Sequence, residues 1–297
     1  MEEAMEKPRI SYTALSAYER CPLSYRFQYV DGLAPEVTPH LVFGRAVHAA
    51  LQWFYDRDVP VPPSLDELLL YLEGCWSREG FSSEEESHLF LEHARAVLSC
   101  FYRHNADSFR LPVAVEHRFE LDMGDIWLTG VIDRVDRHDD GRYEVLDYKT
   151  NRRLPELSKL KEDLQLPIYQ IACRQVFGIN PAKLTFYFVV PNQRYSTRPL
   201  DEESLERVVA RLRDVGSRIA QGEFPARPGR LCPWCDYYDI CPEGKGSQDV
   251  ESSFISRYRA LLRRKKALER MIGELEEEMR ALGLDFSGEE ECLANPL

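Results

Sequence analysis

Two carboxylates and an amine crowd one short segment of this chain. Residues 130–150, GVIDRVDRHDDGRYEVLDYKT, carry Asp133 and then an Asp-x-Lys pair, Asp147 and Lys149. Val, Ile, Leu and Tyr fill both arms, and His138-Asp139-Asp140-Gly141 supplies turn residues between them, so the segment reads as a β-hairpin. Side chains alternate along a strand, so Asp147 and Lys149 share one face while Leu146 and Tyr148 point the other way. A three-residue loop at 139–141 sets Asp133 opposite Asp147 on that same face. Like charges that close repel unless something positive separates them, and a divalent cation is the usual answer. An Asp-x-Lys also arises by chance on exposed acid–base hairpins, so the weight of the motif depends on the rest of the chain.

The elements that must position these groups follow from periodicity and breakers. Helical spacing predicts helices over 12–29 (Thr13 as N-cap, Pro22 interrupting), 43–57 with His48 on it, 64–78 and 84–104. Strands are predicted at 112–121, 126–137 and 143–149, then a helix at 156–177 containing Pro167, a strand at 183–190 and a helix at 201–221. Helices first, then a three-strand meander, then helix–strand–helix predict an α/β or α+β core with a helical insert rather than a doubly wound sheet. Residues 225–246 are rich in Pro, Gly and Cys. Beyond them Phe254, Tyr258, Leu261, Lys265, Leu268, Ile272, Leu275, Met279 and Leu282 form a heptad seam broken once by Lys265, which predicts one long helix that docks on its own domain or on a partner.

The composition narrows the class. With 297 residues, 44% of them hydrophobic, the chain can bury a substantial core. A net charge of −12 argues against a protein that coats nucleic acid electrostatically, but not against an enzyme gripping a short strand in a local basic groove. The opening MEEAMEKPRISY has no apolar run, and the most apolar stretch, Leu184 to Val190, is too short to span a bilayer, so a cytoplasmic protein with no membrane partner is expected. Eight cysteines in that compartment should be reduced, which directs attention to metal ligation. Cys232-x2-Cys235-x5-Cys241 offers three thiolates, one short of a tetrahedral set. Cys75, Cys100 and Cys173 lie among apolar helical neighbours and Cys292 in a polar tail, leaving Cys21, followed by Pro22 as Cys232 and Cys241 are by Pro233 and Pro242. Four thiolates suit zinc and an iron–sulfur cluster alike.

Taken together these motifs resemble the RecB-like, AddB-like iron–sulfur branch of the PD-(D/E)xK nuclease superfamily. The segment from Ser16 through Tyr18, Cys21, Pro22 and Tyr25 to Phe27 is similar to the family's opening S-x-Y-x-x-C-P-x-x-Y-x-F. Gly44 to His48 is similar to its G-x-x-x-H, and Gln165 to Tyr169 after the hairpin to its Q-L-x-x-Y. The resemblance covers about residues 11–242. It implies a restriction-endonuclease-like α/β core, a central mixed sheet flanked by helices, with an N-terminal helical segment and a cysteine cluster joining the termini. The expected division is a nuclease domain at 1–246 and a long C-terminal helix with an acidic tail at 247–297.

Residue by residue, the resemblance implies that His48, Asp133, Asp147 and the Tyr148 carbonyl hold Mg²⁺ or Mn²⁺. It implies that Lys149 orients the attacking water, that Gln165 and Tyr169 position the strand and the active-site groups, and that Cys21, Cys232, Cys235 and Cys241 hold a [4Fe–4S] cluster. Asp147 stands where the family often has Glu, and Ile132 where it has the proline of its name. The implied activity is a DNA exonuclease acting on single strands or ends in repair, recombination or defence. The chain has no Walker A sequence, so any helicase would be a separate partner, and the C-terminal helix is a candidate contact for a helicase or another protein. The competing reading is a catalytically silent iron–sulfur module that binds DNA or acts as scaffold within a helicase–nuclease complex; the intact Asp133, Asp147 and Lys149 weigh against it.

Overall fold

A computed structural model describes residues 7–35, 37–244 and 272–273. They fall into two compact units, one through Arg227 and one from Pro228 onward. Of the expected helix over 254–282, Ile272 and Gly273 are described, as helical, and the remainder lies outside the described residues.

The first unit is an α/β fold around one six-stranded mixed sheet. Its strands are β1 (Arg9–Ile10), β2 (Ala114–Asp122), β3 (Trp127–Arg137), β4 (Tyr143–Lys149), β5 (Lys183–Phe188) and β6 (Gln193–Thr197). The long β3 is the centre: β2 runs antiparallel along one edge, while the other is shared by β1, parallel at Trp127–Leu128, and β4, antiparallel at Arg134–Arg137. β4 pairs parallel with β5, and β5 antiparallel with β6. The β3–β4 turn closes through His138 N–H to the Arg142 carbonyl and Gly141 N–H to the His138 carbonyl. Gly141 sits at φ +81°, the left-handed position that a three-residue hairpin loop requires.

Two apolar clusters cover the two faces of the sheet. On one side α1 (Tyr12–Arg20), α7 (Gln165–Val176) and α8 (Glu202–Ala220) bury Leu15, Tyr18, Leu166, Ile168 and Leu212 against Ile132, Val145 and Phe186. On the other, α3 (Pro39–Tyr55), α4 (Leu65–Cys75) and α5 (Glu84–Asn105) bury Val47, Leu51, Phe54, Leu68 and Phe101 against Tyr148 and Tyr187. The helical insert thus forms one covering layer. Short α2 (Pro22–Tyr25) and α6 (Leu157–Glu162) complete the helices of this unit, with one π turn at Arg26–Val30.

Several boundaries differ from expectation for local reasons. Ser11, not Thr13, caps α1, its hydroxyl accepting from Ala14 N–H at 3.1 Å. That helix stops at Cys21, whose backbone is extended (φ −161°, ψ 107°), and restarts with Pro22 in the first turn of α2, where its missing N–H is harmless. Pro167 resolves the same way: the expected 156–177 helix is two, α6 and α7, with the proline in the first turn of the second. β6 is polar along its length and β1 is two residues long, so neither carries a strand pattern in the sequence.

Candidate active site

The hairpin delivers the expected juxtaposition. Pairing of Arg134 with Leu146 and Arg137 with Tyr143 puts Asp133 and Asp147 next in register. There the backbone ladder stops, and the Tyr148 N–H donates instead to the Asp133 carboxylate, Oδ2, at 2.7 Å. A strand residue's N–H and C=O face the same edge, so the Tyr148 carbonyl also looks toward this gap. On the other side of β3, Val115 pairs with Arg134 and His117 with Ile132, which brackets Glu116 opposite Asp133. Glu116, Asp133 and Asp147 therefore form a row of carboxylates across three adjacent strands.

Glu116 is the functional candidate that sequence reasoning missed. Along β2 the alternating Glu116, Arg118 and Glu120 read as an ordinary solvated face. In the structure Glu116 adopts φ +45°, an unusual value for a residue other than glycine, at the point where β2 crosses the row. The one signal that could have found it is register relative to Asp133, which depends on the β2–β3 loop.

His48 comes from α3. Thr38 caps that helix and Pro39 occupies its first turn, while Val47 and Leu51 bury its inner face. Gly44, one turn before His48, lets the helix approach the end of β4, since a Cβ there would sit 3.3 Å from the Thr150 hydroxyl. His48 Nδ1 lies 3.6 Å from Asp133 Oδ2 and 3.8 Å from Glu116 Oε1. Among the described residues, His48, Glu116 and Asp133 are the one group of three potential ligands whose atoms all lie within 4.8 Å of one another.

Lys149, Gln165 and Tyr169 complete the opposite side of the row. Lys149 Nζ is ion-paired with Asp147 Oδ2 at 2.8 Å and donates to Gln165 Oε1. Gln165 Nε2 donates to Asp147 Oδ1 at 2.6 Å and to the Tyr169 hydroxyl at 2.9 Å, so Gln165 and Tyr169 do share a helical face. Asp163 fixes the start of α7 by accepting the Gln165 N–H at 2.8 Å, and Tyr12 of α1 donates to its other oxygen at 2.6 Å.

Beneath the row, Arg134 is buried with its guanidinium 3.9 Å over the Tyr55 ring and donates to the Tyr148 hydroxyl at 2.7 Å. These contacts brace both hairpin strands from behind.

Electrostatics show what the row lacks. Burial, and then repulsion from Asp147, push the Asp133 carboxyl from its usual 3.8 up to about 8. Burial works against protonation of His48, but Glu116, Asp133 and Asp147 outweigh it and raise the imidazole to about 9. Burial and the charges of Asp147 and Asp133 push the Tyr169 phenol well above its usual range. The buried Asp147 Oδ2 has no well-directed hydrogen bond beyond its ion pair. Closely spaced oxygen donors with one imidazole, short of positive charge, fit a hard divalent cation.

The predicted thiol ligands stand as follows within their own units. In the first, Cys21 Sγ accepts the Arg227 N–H at 3.4 Å. In the second, Cys232 opens a 3-10 turn, Cys232–Trp234, and accepts the Gly229 N–H at 3.1 Å, while Cys235 and Cys241 are half-buried. Cys173 is fully buried, which pushes its thiol to about 12. No helix among the described residues is long and apolar enough to cross a membrane.

Gene 69 protein of Mycobacterium phage D29 is 23% identical over 269 residues, covering 79% of this chain and 97% of that protein. An ATP-dependent helicase/deoxyribonuclease component of Streptococcus uberis is 27% identical over 176 residues, 54% of this chain but 16% of that much longer protein. A proposed exonuclease structure from Eubacterium rectale superposes with a TM-score of 0.50 at 12% identity, covering 77% of this chain and 87% of its own, a likeness of fold. Residues 9–242 match the PD-(D/E)XK nuclease superfamily, and the chain belongs to that superfamily.

Proposed function

We propose that this protein is a metal-dependent deoxyribonuclease that hydrolyses phosphodiester bonds in single-stranded DNA or at DNA ends, working as an exonuclease in repair, recombination or defence. One observation carries the reading: three carboxylates in register across β2, β3 and β4, with Lys149 beside the last of them. His48, Asp133, Asp147 and the Tyr148 carbonyl are the proposed holders of Mg²⁺ or Mn²⁺, with Glu116 as an added oxygen donor. Such a cation, when bound, supplies a Lewis acid for the scissile phosphate and a more acidic water.

The chain's own groups do the rest. Lys149, held between Asp147 and Gln165, is placed to orient the attacking water and to offset negative charge growing on the phosphoryl oxygens. Gln165 keeps Asp147 and Lys149 in one geometry, and Tyr169 anchors Gln165. The imidazole of His48 tilts the choice of metal toward Mn²⁺.

The same reading extends to the cysteines and partners. Cys21, Cys232, Cys235 and Cys241 are the proposed ligands of a [4Fe–4S] cluster, and N–H groups directed at the sulfurs of Cys21 and Cys232 suit thiolates. Likeness to a helicase/deoxyribonuclease component supports a helicase as partner. Digestion of end-labelled single strands with Mn²⁺ tests the activity. Wild type should degrade them and Asp133→Ala should not; no cleavage with either metal on any DNA form would favour a silent scaffold.

A further inference from the structure

The turn end of the β3–β4 hairpin carries a cavity of about 810 Å³, walled by the last turn of α5, the hairpin loop and the neighbouring ends of β5 and β6. It is separate from the carboxylate row. Arg134, Asp136 and Glu144 line it from alternate positions of β3 and β4, whose side chains point to the sheet face opposite Asp133 and Asp147. Seven Arg or Lys residues line the cavity against four Asp or Glu, in a chain whose overall charge is −12.

The pairing pattern shows where the excess lies. Each of the four acids is matched to a lysine or arginine, Glu144 also facing His138 at 2.9 Å, and the least exposed pair is Arg134 with Asp136. Among the described residues, Arg137, Arg194 and Arg198 have no carboxylate partner, and all three are exposed. Arg194 is held in place, 4.4 Å over the Tyr187 ring and donating to the Asn105 side-chain oxygen at 2.8 Å. Arg134 lies at the floor, its charge matched by Asp136 but its Nε–H without a partner. Ser108, Ser196 and Thr197 also line the wall, their hydroxyls directed at the Asn105 carbonyl, the Thr185 hydroxyl and the Arg198 carbonyl, so the guanidinium groups are the donors left to a ligand. A concave wall with unmatched guanidinium groups focuses positive potential and favours oxyanions that accept several hydrogen bonds. The volume is of the size that holds a small organic ligand.

We infer that this cavity is a second anion site, binding the phosphate of a nucleotide, free or at the end of a nucleic-acid strand. The inference goes beyond the proposed hydrolysis and does not depend on it, because binding here needs no divalent cation.

The test is titration of the full chain in EDTA with thymidine 5′-monophosphate and, separately, with a 5′-phosphorylated thymidine oligonucleotide. The proteins compared are wild type, Arg137→Gln/Arg198→Gln and Lys149→Ala, with circular dichroism to check folding and Arg198→Gln alone as the milder variant. Saturable binding of the mononucleotide, weakened about tenfold in the double variant and unchanged in Lys149→Ala, identifies a free-nucleotide site. Binding of the oligonucleotide alone, with the double variant lowering the log–log salt slope by about 1.4, identifies a strand end. Either result supports the site. If neither probe binds, or if the folded arginine variants bind both as wild type does, the inference is overturned.

Discussion

Replacing Asp133 by Asn should make the metal-free protein more stable while removing its activity. The near-isosteric amide retains an oxygen to accept the Tyr148 N–H, so the strand junction survives. What disappears is a buried negative charge facing Asp147. Native Asp133 holds its proton up to about pH 8, against an ordinary value of 3.8 in the unfolded chain. Stability therefore falls as pH rises from 3.8 toward 8, and the full penalty stands above it. That rise, at 1.36 kcal/mol per pH unit, sets a ceiling of roughly 5 kcal/mol; coupling to His48 brings the expected gain to about 2–3 kcal/mol.

His48 acts in the same direction. Its elevated value, about 9, contributes stability below 6.5 that is lost as pH climbs through 9, and part of that elevation comes from Asp133. The advantage of Asp133→Asn should thus be smallest in mild acid and largest in mild alkali. Urea unfolding in EDTA, followed by circular dichroism across this range, measures it. A variant less stable than wild type at alkaline pH, or a difference that does not vary with pH, would refute the reasoning.

Other consequences follow from the same geometry. Glu116→Gln should weaken Mn²⁺ binding by roughly 10–100-fold, read from the metal dependence of hydrolysis, with turnover partly recovered at high metal. Lys149→Ala should lower kcat by about 100-fold or more while leaving calorimetric metal affinity near that of wild type. Gly44→Val should press α3 away from Thr150 and shift His48, reducing activity more than melting temperature; an unaffected rate would argue that His48 tolerates displacement. Cys21→Ser should diminish absorbance near 400 nm after anaerobic purification and lower the melting temperature; unchanged values would remove Cys21 from the proposed cluster.

The hairpin that pairs Asp133 with Asp147 was legible because its geometry is local. Turn composition at 139–141 and strict alternation set Asp133 against Asp147 without reference to the rest of the fold. His48, Gln165 and Tyr169 were reached through motif spacing, and the structure supplies the reason for that spacing: Gly44 permits close helix approach, and Pro167 falls within a first turn. Glu116 was invisible because its role depends on a left-handed backbone in a residue with a side chain, together with a register set by another loop. The strands β1 and β6 were missed because tertiary pairing, not local apolar alternation, holds them. The basic cavity was equally hidden, since its arginines come from elements distant in sequence and the overall charge is acidic.

Cleavage of DNA by the carboxylate row, holding a divalent cation and flanked by Lys149, is the proposed activity. Its most direct test is time-resolved digestion of single strands labelled at the 5′ or 3′ end, with Mn²⁺ or EDTA, by wild type and Lys149→Ala. Mn²⁺-dependent shortening by wild type, abolished in EDTA and reduced about 100-fold in the variant, is the predicted result. Digestion that persists in EDTA or is equal in the two proteins would contradict it.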